Sequence, residues 1–355
     1  MPSVTLPETP LPQTERAITE FLKALKASER TDRMPVVREE YRQLAESWSE
    51  RHGHAPRTLD EIDDVMRSSV AYKFDRALAR FSQELMYARV HELLQPRRSE
   101  LEAFLDAPVE HPLGSLRLNP SIPIPTYYEA DYHVQPGGMH REPLIGFVTA
   151  VTNKVYFGGT NDSEEQQRLS AAACPDGPWE RILDLGCGCK SAYYYKLRWP
   201  DAEVHGIDLS APLLKYAHKR AEAMGLAIHF SQQNCEQTDF PDNHFDLISS
   251  CILFHEIPDE AAWNTVQEAF RLLKPGGWFV INDAPPYRAL DPFGAYFSDW
   301  QTGNNVEPYW GEAGRRNYPE WFQNAGFRNV SDPFIRGEVK GPTRIFPWTT
   351  MGQKP

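Results

Sequence analysis

From residue 181 onward, short apolar runs alternate with amphipathic stretches at nearly even intervals. Runs at 181–186, 203–208, 227–231, 245–251 and 277–282 predict strands. Helical spacing predicts helices at about 191–198, 211–224 and 260–273. This alternation is the rhythm of an α/β, doubly wound, mostly parallel sheet. A helix near 318–325 and two short strands near 327–335 and 343–350 follow, and a terminal hairpin implies an antiparallel C-terminal edge.

The first half of the chain has the helical period instead. Residues 1 to about 12 are proline-rich and read as loose. Thr14 before Glu15, with Ile18, Phe21, Leu22 and Leu25 at helical spacing, predicts a first helix. A second runs from about 35 to 51 and stops at Gly53. A third covers about 59–94, where Ile62, Val65, Met66, Val70, Phe74, Leu78, Phe81, Leu85 and Val90 form one apolar stripe suited to a bundle. Residues 107–141 break the pattern: Pro112, Pro120, Pro123, Pro125 and Pro136, with Gly137 and Gly138, mark a crossover loop. Tyr127, Tyr128, Asp131, Tyr132, His133 and His140 cluster there, so the segment is either a lid and substrate wall or a linker wrapping the core. Two more helices are predicted near 142–155 and 163–173. The expected organisation is a helical N-terminal extension with crossover loop at 1–141, then the sheet domain at 142–355, interrupted by a substrate-capping insertion at about 284–316.

Composition narrows the partners. Apolar residues make up 41% and charged residues 24%, and 37 basic against 49 acidic residues give a formal net charge of −12. An acidic chain without a basic stripe argues against nucleic acid and anionic membrane surfaces. No run of about 18 apolar residues reads as a membrane span, and the first residues lack the two halves of a signal peptide. Five cysteines without a Cys-x-x-Cys pair suit a reducing, cytoplasmic setting. Asp131, His133 and His140 have metal-ligand chemistry but no third fixed partner, so no metal is expected. A homodimer stays open.

The chemistry concentrates where the strand at 181–186 stops at Gly186-Cys187-Gly188, which lets a cofactor press on bare backbone. Twenty residues after Gly188, Asp208 closes the next strand, placed to accept from both hydroxyls of a ribose. A dinucleotide fingerprint would want a third glycine at position 191, where Ser191 stands. With Asp184 to Gly188 and Asp208 come Gln233-Asn234-Cys235-Glu236, the stretch from Phe240 to Asp246, and Leu272-Leu273-Lys274-Pro275-Gly276-Gly277 leading into 278–281. In order and spacing this set resembles the class I S-adenosylmethionine-dependent methyltransferase family, most closely its small-molecule branch.

The resemblance implies a Rossmann-like sheet and S-adenosylmethionine as cofactor, with S-adenosylhomocysteine as product. It places Asp184, Gly186 and Gly188 at the methionine part, Asp208 at the ribose and Asn234 at the adenine, with Leu209, Cys235 and Ser250 as further cofactor positions. One departure is Lys190, where the family has a small residue; it can crowd the cofactor's carboxylate, bind it, or swing to solvent.

Sulfonium methyl transfer is an in-line displacement, for which an enzyme supplies alignment, a dry pocket and often one base. Phe254-His255 resembles the apolar–His pair of related methyltransferases that faces the active site. His255 can be a base, a substrate anchor or a helix cap; Glu256 is a second catalytic candidate or the start of the next helix. Tyr128, His133, Tyr287, Tyr296 and Trp300 are the substrate-binding candidates, core packing being the alternative for many of these rings. Such a wall suits an apolar, aromatic or cationic acceptor. The expected function is methylation of a small-molecule acceptor, of specialised-metabolite type on account of the large lid, on an O, N, S or C atom the sequence does not specify. The alternatives are a protein methyltransferase that docks through the helical domain, and a catalytically inactive cofactor-binding protein.

Overall fold

The computed structural model describes residues 4–8, 11–161, 163–340 and 346–355. The N-terminal half holds α1 (Gln13–Ser28), α2 (Met34–His52), α3 (Leu59–Met66), α4 (Val70–Leu94), α5 (Arg98–Asp106), a short strand β1 (Ser115–Arg117), α6 (Ile145–Tyr156) and α7 (Glu165–Ala173). Part of the proline-rich start, residues 1–3 and 9–10, lies outside the described residues.

The single helix expected over 59–94 is two. Ser69 caps α4: its Oγ accepts the Tyr72 N–H at 3.0 Å and donates to Glu40 at 2.6 Å. The break at 67–69 resets the helical phase. Val70, Phe74 and Phe81 of the expected stripe therefore stand exposed, and Asp75, Arg76 and Gln83 turn inward. Their burial is satisfied by partners from α1 and its C-terminal turn: Arg33 Nε donates to Asp75 at 2.5 Å, and Lys26 Nζ donates to Gln83 at 2.6 Å.

The sheet adds β2 (Arg181–Leu185), β3 (Glu203–Asp208), β4 (Ile228–Gln232), β5 (Phe245–Cys251), β6 (Leu273–Asp283), β7 (Arg328–Ser331) and β8 (Trp348–Gln353), in the order β1-β4-β3-β2-β5-β6-β8-β7. All pairs are parallel except β6 with β8 and β8 with β7, so the fold is the expected doubly wound sheet with an antiparallel C-terminal edge. The last strand lies later than expected, at Trp348–Gln353; residues 343–345 of the expected 343–350 run lie outside the described residues. The helices α8 (Ala192–Arg198), α9 (Ala211–Ala223) and α10 (Asp259–Leu272) connect the parallel strands, and α11 (Pro292–Asn304), α12 (Trp310–Arg315) and α13 (Tyr318–Ala325) lie between β6 and β7.

From β2 the chain builds outward through β3 and β4, then crosses to β5 on the other side of β2. That reversal opens a crevice at the carboxyl ends of β2, β3 and β5. Side chains alternate across the sheet. Ile182, Val204, Leu247 and Val280 pack with Leu22, Met86 and Phe147 of the helical extension. Leu183, Ile248, Phe279 and Ile281 pack with Val266 and Phe322 on the opposite face. The extension thus shares a core with the sheet. The insertion packs on the extension in a separate cluster, where Phe293, Tyr296 and Phe297 of α11 meet Met34, Val37, Ile62 and Met66. Extension and insertion together roof the crevice. Among the described residues, no helix is long and apolar enough to cross a membrane.

Candidate active site

The glycine turn has the backbone its sequence demands. Gly186 and Gly188 sit at φ +63° and +51°, a region costly for residues with a Cβ. A Cβ on Gly186 would fall 2.9 Å from Leu253, whereas one on Gly188 would meet nothing within 4 Å and project into open space. The Cys187 N–H donates to the Ile207 carbonyl at 2.9 Å, tying the turn to β3. Asp208 completes the tie: one carboxylate oxygen accepts the Gly188 N–H at 2.9 Å, the other the Ser210 N–H at 2.8 Å and the Tyr128 hydroxyl at 3.2 Å. Burial raises the Asp208 carboxyl against the pull of these donors.

Above this turn lies a cavity of about 420 Å³, within the ordinary range of small-ligand sites. Its walls join Gly186, Gly188, Asp208, Leu209, Asn234 and Cys235 to Tyr128, His133, His255 and Glu256. The remaining expected cofactor positions, Asp184 and Ser250, do not line it. Asp184 is fully buried beneath the turn, accepts the Ser191 hydroxyl at 2.5 Å and is pushed by burial up to about 8. Asn234 lines the cavity, yet its amide oxygen already accepts the Glu236 N–H at 2.9 Å, so an adenine would be its second partner. Lys190 lines the cavity and does not swing to solvent: Nζ donates to Asn153 Oδ1 at 2.8 Å, and burial lowers its pKa.

At the ends of β5 and β6 the cavity meets an alternating series of imidazoles and carboxylates. His255 Nδ1 lies 2.5 Å from Asp283 Oδ1, and Asp283 also accepts the Phe254 and Ala284 N–H groups. Burial opposes a charge on His255, but Asp283 outweighs it and raises the imidazole to about 9; Asp283 is correspondingly held low. His255 Nε2 stands 3.9 Å from Glu256 Oε1. Glu256 in turn lies 3.0 Å from His133 Nε2, and His133 Nδ1 lies 2.8 Å from Glu307 Oε1. Burial again opposes the charge, and the two carboxylates raise His133 to about 10. His133 holds this bridging position with a left-handed backbone, φ +59°, and Ile252 beside the cavity sits at φ +60°. Left-handed backbone at non-glycine residues, above all a β-branched one, is a strain that collects at functional sites.

The other substrate-binding candidates divide. Tyr128 lines the cavity, stacked on His140. Tyr287, Tyr296 and Trp300 lie outside it. Tyr287 donates to Asp299 at 2.6 Å, Tyr296 donates to Asp63 at 3.0 Å within the α2–α3–α11 cluster, and Trp300 lies under the Arg76 guanidinium. Tyr193 and Tyr195 are core residues. Asp131 and His140 are occupied by Arg141 and Glu129, whereas His133 is held by Glu256 and Glu307. The sequence pattern missed Tyr87, Tyr156, Gln301 and Glu307, which line the cavity, and Asp283, which orients His255. Only Asp283 carried a signal, its place at the carboxyl end of a core strand.

Residues 182–277 match the family model described as "Methyltransferase domain". The phosphoethanolamine N-methyltransferase of Triticum aestivum is 34% identical over 169 residues, which are 45% of this chain and 31% of that protein. The demethylmenaquinone methyltransferase of Thermus thermophilus is 37% identical over 108 residues, 30% of this chain and 48% of that protein. A solved structure of Haemonchus contortus phosphoethanolamine N-methyltransferase 2 with S-adenosyl-L-methionine has a TM-score of 0.45 at 19% identity, covering 65% of this chain and 60% of that one. The chain thus spans about a third of the wheat protein and about half of the Thermus one. With the strand order, the glycine turn and Asp208, the match identifies residues 182–277 as a methyltransferase domain of the class I S-adenosylmethionine-dependent family.

Proposed function

We propose that the protein transfers the methyl group of S-adenosylmethionine to a small molecule held beneath the helical extension. The observation that carries this reading is the continuity of one cavity from Gly188 and Asp208 to the His255–Glu256 pair. The residues present fit the cofactor: bare backbone at Gly188, a buried carboxylate at Asp208 for two ribose hydroxyls, and the Lys190 ammonium for a carboxylate. Bound there, S-adenosylmethionine supplies an electrophilic methyl group on a sulfonium.

The chain's own residues do the rest. Tyr128 and Met139 of the crossover loop, with Trp310 of the insertion, line the cavity and take up space that water would fill. The 3.9 Å between His255 Nε2 and Glu256 Oε1 lets one acceptor heteroatom hydrogen-bond to both. His255, kept protonated near neutral pH by Asp283, donates from Nε2 and fixes that heteroatom. Glu256 Oε1 accepts its proton as the new bond forms. The size of the cavity, about 420 Å³, suits a small acceptor, of the specialised-metabolite kind, with 1–141 as roof and 284–316 as cap.

Calorimetry with S-adenosylhomocysteine and NAD tests the reading at its base: the adenosyl ligand binds and NAD does not. If no adenosyl ligand binds, the proposal fails. Turnover of S-adenosylmethionine with a panel of small acceptors, against none with protein acceptors, tests the rest.

A further inference from the structure

Beyond the His255–Glu256 pair, one imidazole's width further along, two residues of the cavity wall carry buried oxygens without partners. Glu307 is 1% exposed; Oε1 engages His133 and Asn305, at 2.8 and 2.5 Å, while Oε2 accepts no hydrogen bond. Gln301 Oε1, on the neighbouring α11, is likewise buried and unpartnered. Both residues line the cavity. Buried acceptors left unpaired are costly, a carboxylate oxygen above all, so the wall is built for something that donates. The rings of Tyr87 and Trp310 also line the cavity, and an aromatic ring attracts a cation that lies over its face.

Charge points the same way. Three carboxylates, Asp283, Glu256 and Glu307, stand against two imidazoles, His255 and His133. The one other cationic side chain among the described lining residues, Lys190, lies at the glycine turn. The imidazole beside Glu307, that of His133, is already held between two carboxylates, and apart from Lys190 no Lys or Arg among the described lining residues is there to neutralise a phosphate.

We propose that Glu307 and Gln301 form a subsite for the protonated amino group of an unphosphorylated amine acceptor, gripping it at a point remote from the heteroatom between His255 and Glu256. This rests on the methyl-transfer reading, and it adds a substrate class: an aromatic or alkyl amine without an anionic head.

The test is calorimetry on the full chain saturated with S-adenosylhomocysteine, using two matched sets: tyramine against 4-ethylphenol, and ethanolamine against phosphoethanolamine. Tyramine should bind at least about tenfold tighter than 4-ethylphenol, as a charge-assisted hydrogen bond requires, and ethanolamine tighter than phosphoethanolamine. Glu307→Gln, or Gln301→Leu if the first variant fails to fold, should remove the preference for tyramine and leave S-adenosylhomocysteine affinity within about twofold. The subsite is overturned by equal binding of tyramine and 4-ethylphenol, by no binding of either amine, or by tighter binding of phosphoethanolamine. A parallel loss of S-adenosylhomocysteine affinity in Glu307→Gln also overturns it, since the oxygen would then serve the cofactor. If wild-type protein fails to bind S-adenosylhomocysteine at all, it is the methyl-transfer reading that falls.

Discussion

His255 and Asp283 form a buried imidazole–carboxylate pair, Nδ1 to Oδ1 at 2.5 Å, that joins the loop after β5 to the end of β6. The pair fixes which nitrogen faces the cavity: Nδ1 is turned to Asp283, leaving Nε2 toward Glu256. Because the folded-state pKa of His255 is raised to about 9, its contribution to stability is complete below the unfolded value near 6.5 and is lost as pH rises through about 9. Asp283, held low, adds stability above its unfolded value near 3.9 that is lost in acid. The pair therefore stabilises most between about pH 4 and 6.5. Asp283→Asn should cost about 3 kcal/mol in urea unfolding at pH 6, and the difference from wild type should shrink at pH 9.5. A pH-independent difference would show that His255 is not the charged partner.

His133 makes a second pH-dependent link, across the roof. Its ring joins Glu256 after β5 to Glu307 of the insertion, with the Tyr156 hydroxyl of α6 at 3.1 Å and the Gln83 amide of α4 on its carbonyl. A pKa raised to about 10 means this link is complete below about 6.5 and is lost toward pH 10. Hydrogen-exchange protection of residues 126–141, corrected for the intrinsic rate, should fall between pH 7 and 10 in wild type. In His133→Gln the protection should already be low at pH 7 and stay flat. Unchanged protection in the variant would mean that the crossover loop is held by its other contacts.

At the cofactor end, the Tyr128 hydroxyl donates to Asp208 Oδ1 at 3.2 Å, so tyrosine and carboxylate meet at the wall that would hold a ribose. Asp208→Ala should weaken S-adenosylhomocysteine binding by about 100-fold, the loss of two hydrogen bonds to a charged acceptor. Tyr128→Phe removes one neutral donor and should cost only about two- to tenfold. Equal losses in the two variants would place Tyr128, not the carboxylate, as the principal ribose contact.

What could be read from the sequence was local. Gly188 and Asp208 were legible because a strand end, a glycine turn and a second strand end lie within one βαβ unit, whose geometry fixes their meeting. Ser69 was not, because a serine within an apolar stripe is compatible with an unbroken helix until Glu40 is known to receive its hydroxyl. Glu307 was invisible for a related reason: its partner His133 lies 174 residues away, and no periodicity links an irregular loop to an insertion. Tyr287, Tyr296 and Trp300 were selected on aromatic density, which says that rings will be buried but not against what. Tyr296 found Asp63 on α3, on the far side of the insertion from the cavity.

Lys190 is the family's departure at the glycine turn, and its geometry yields the most selective prediction. The ammonium is buried against a single neutral acceptor, Asn153 Oδ1, and burial lowers its pKa, so it gains from any carboxylate placed beside it. S-adenosylhomocysteine carries such a carboxylate and adenosine does not. Lys190→Met should therefore weaken S-adenosylhomocysteine binding about tenfold or more, the worth of one charge-assisted hydrogen bond, while adenosine binding stays as in wild type. Equal weakening of both ligands would mean that Lys190 supports the turn itself. An unchanged affinity for both would mean that the methionine carboxylate is held elsewhere along the cavity.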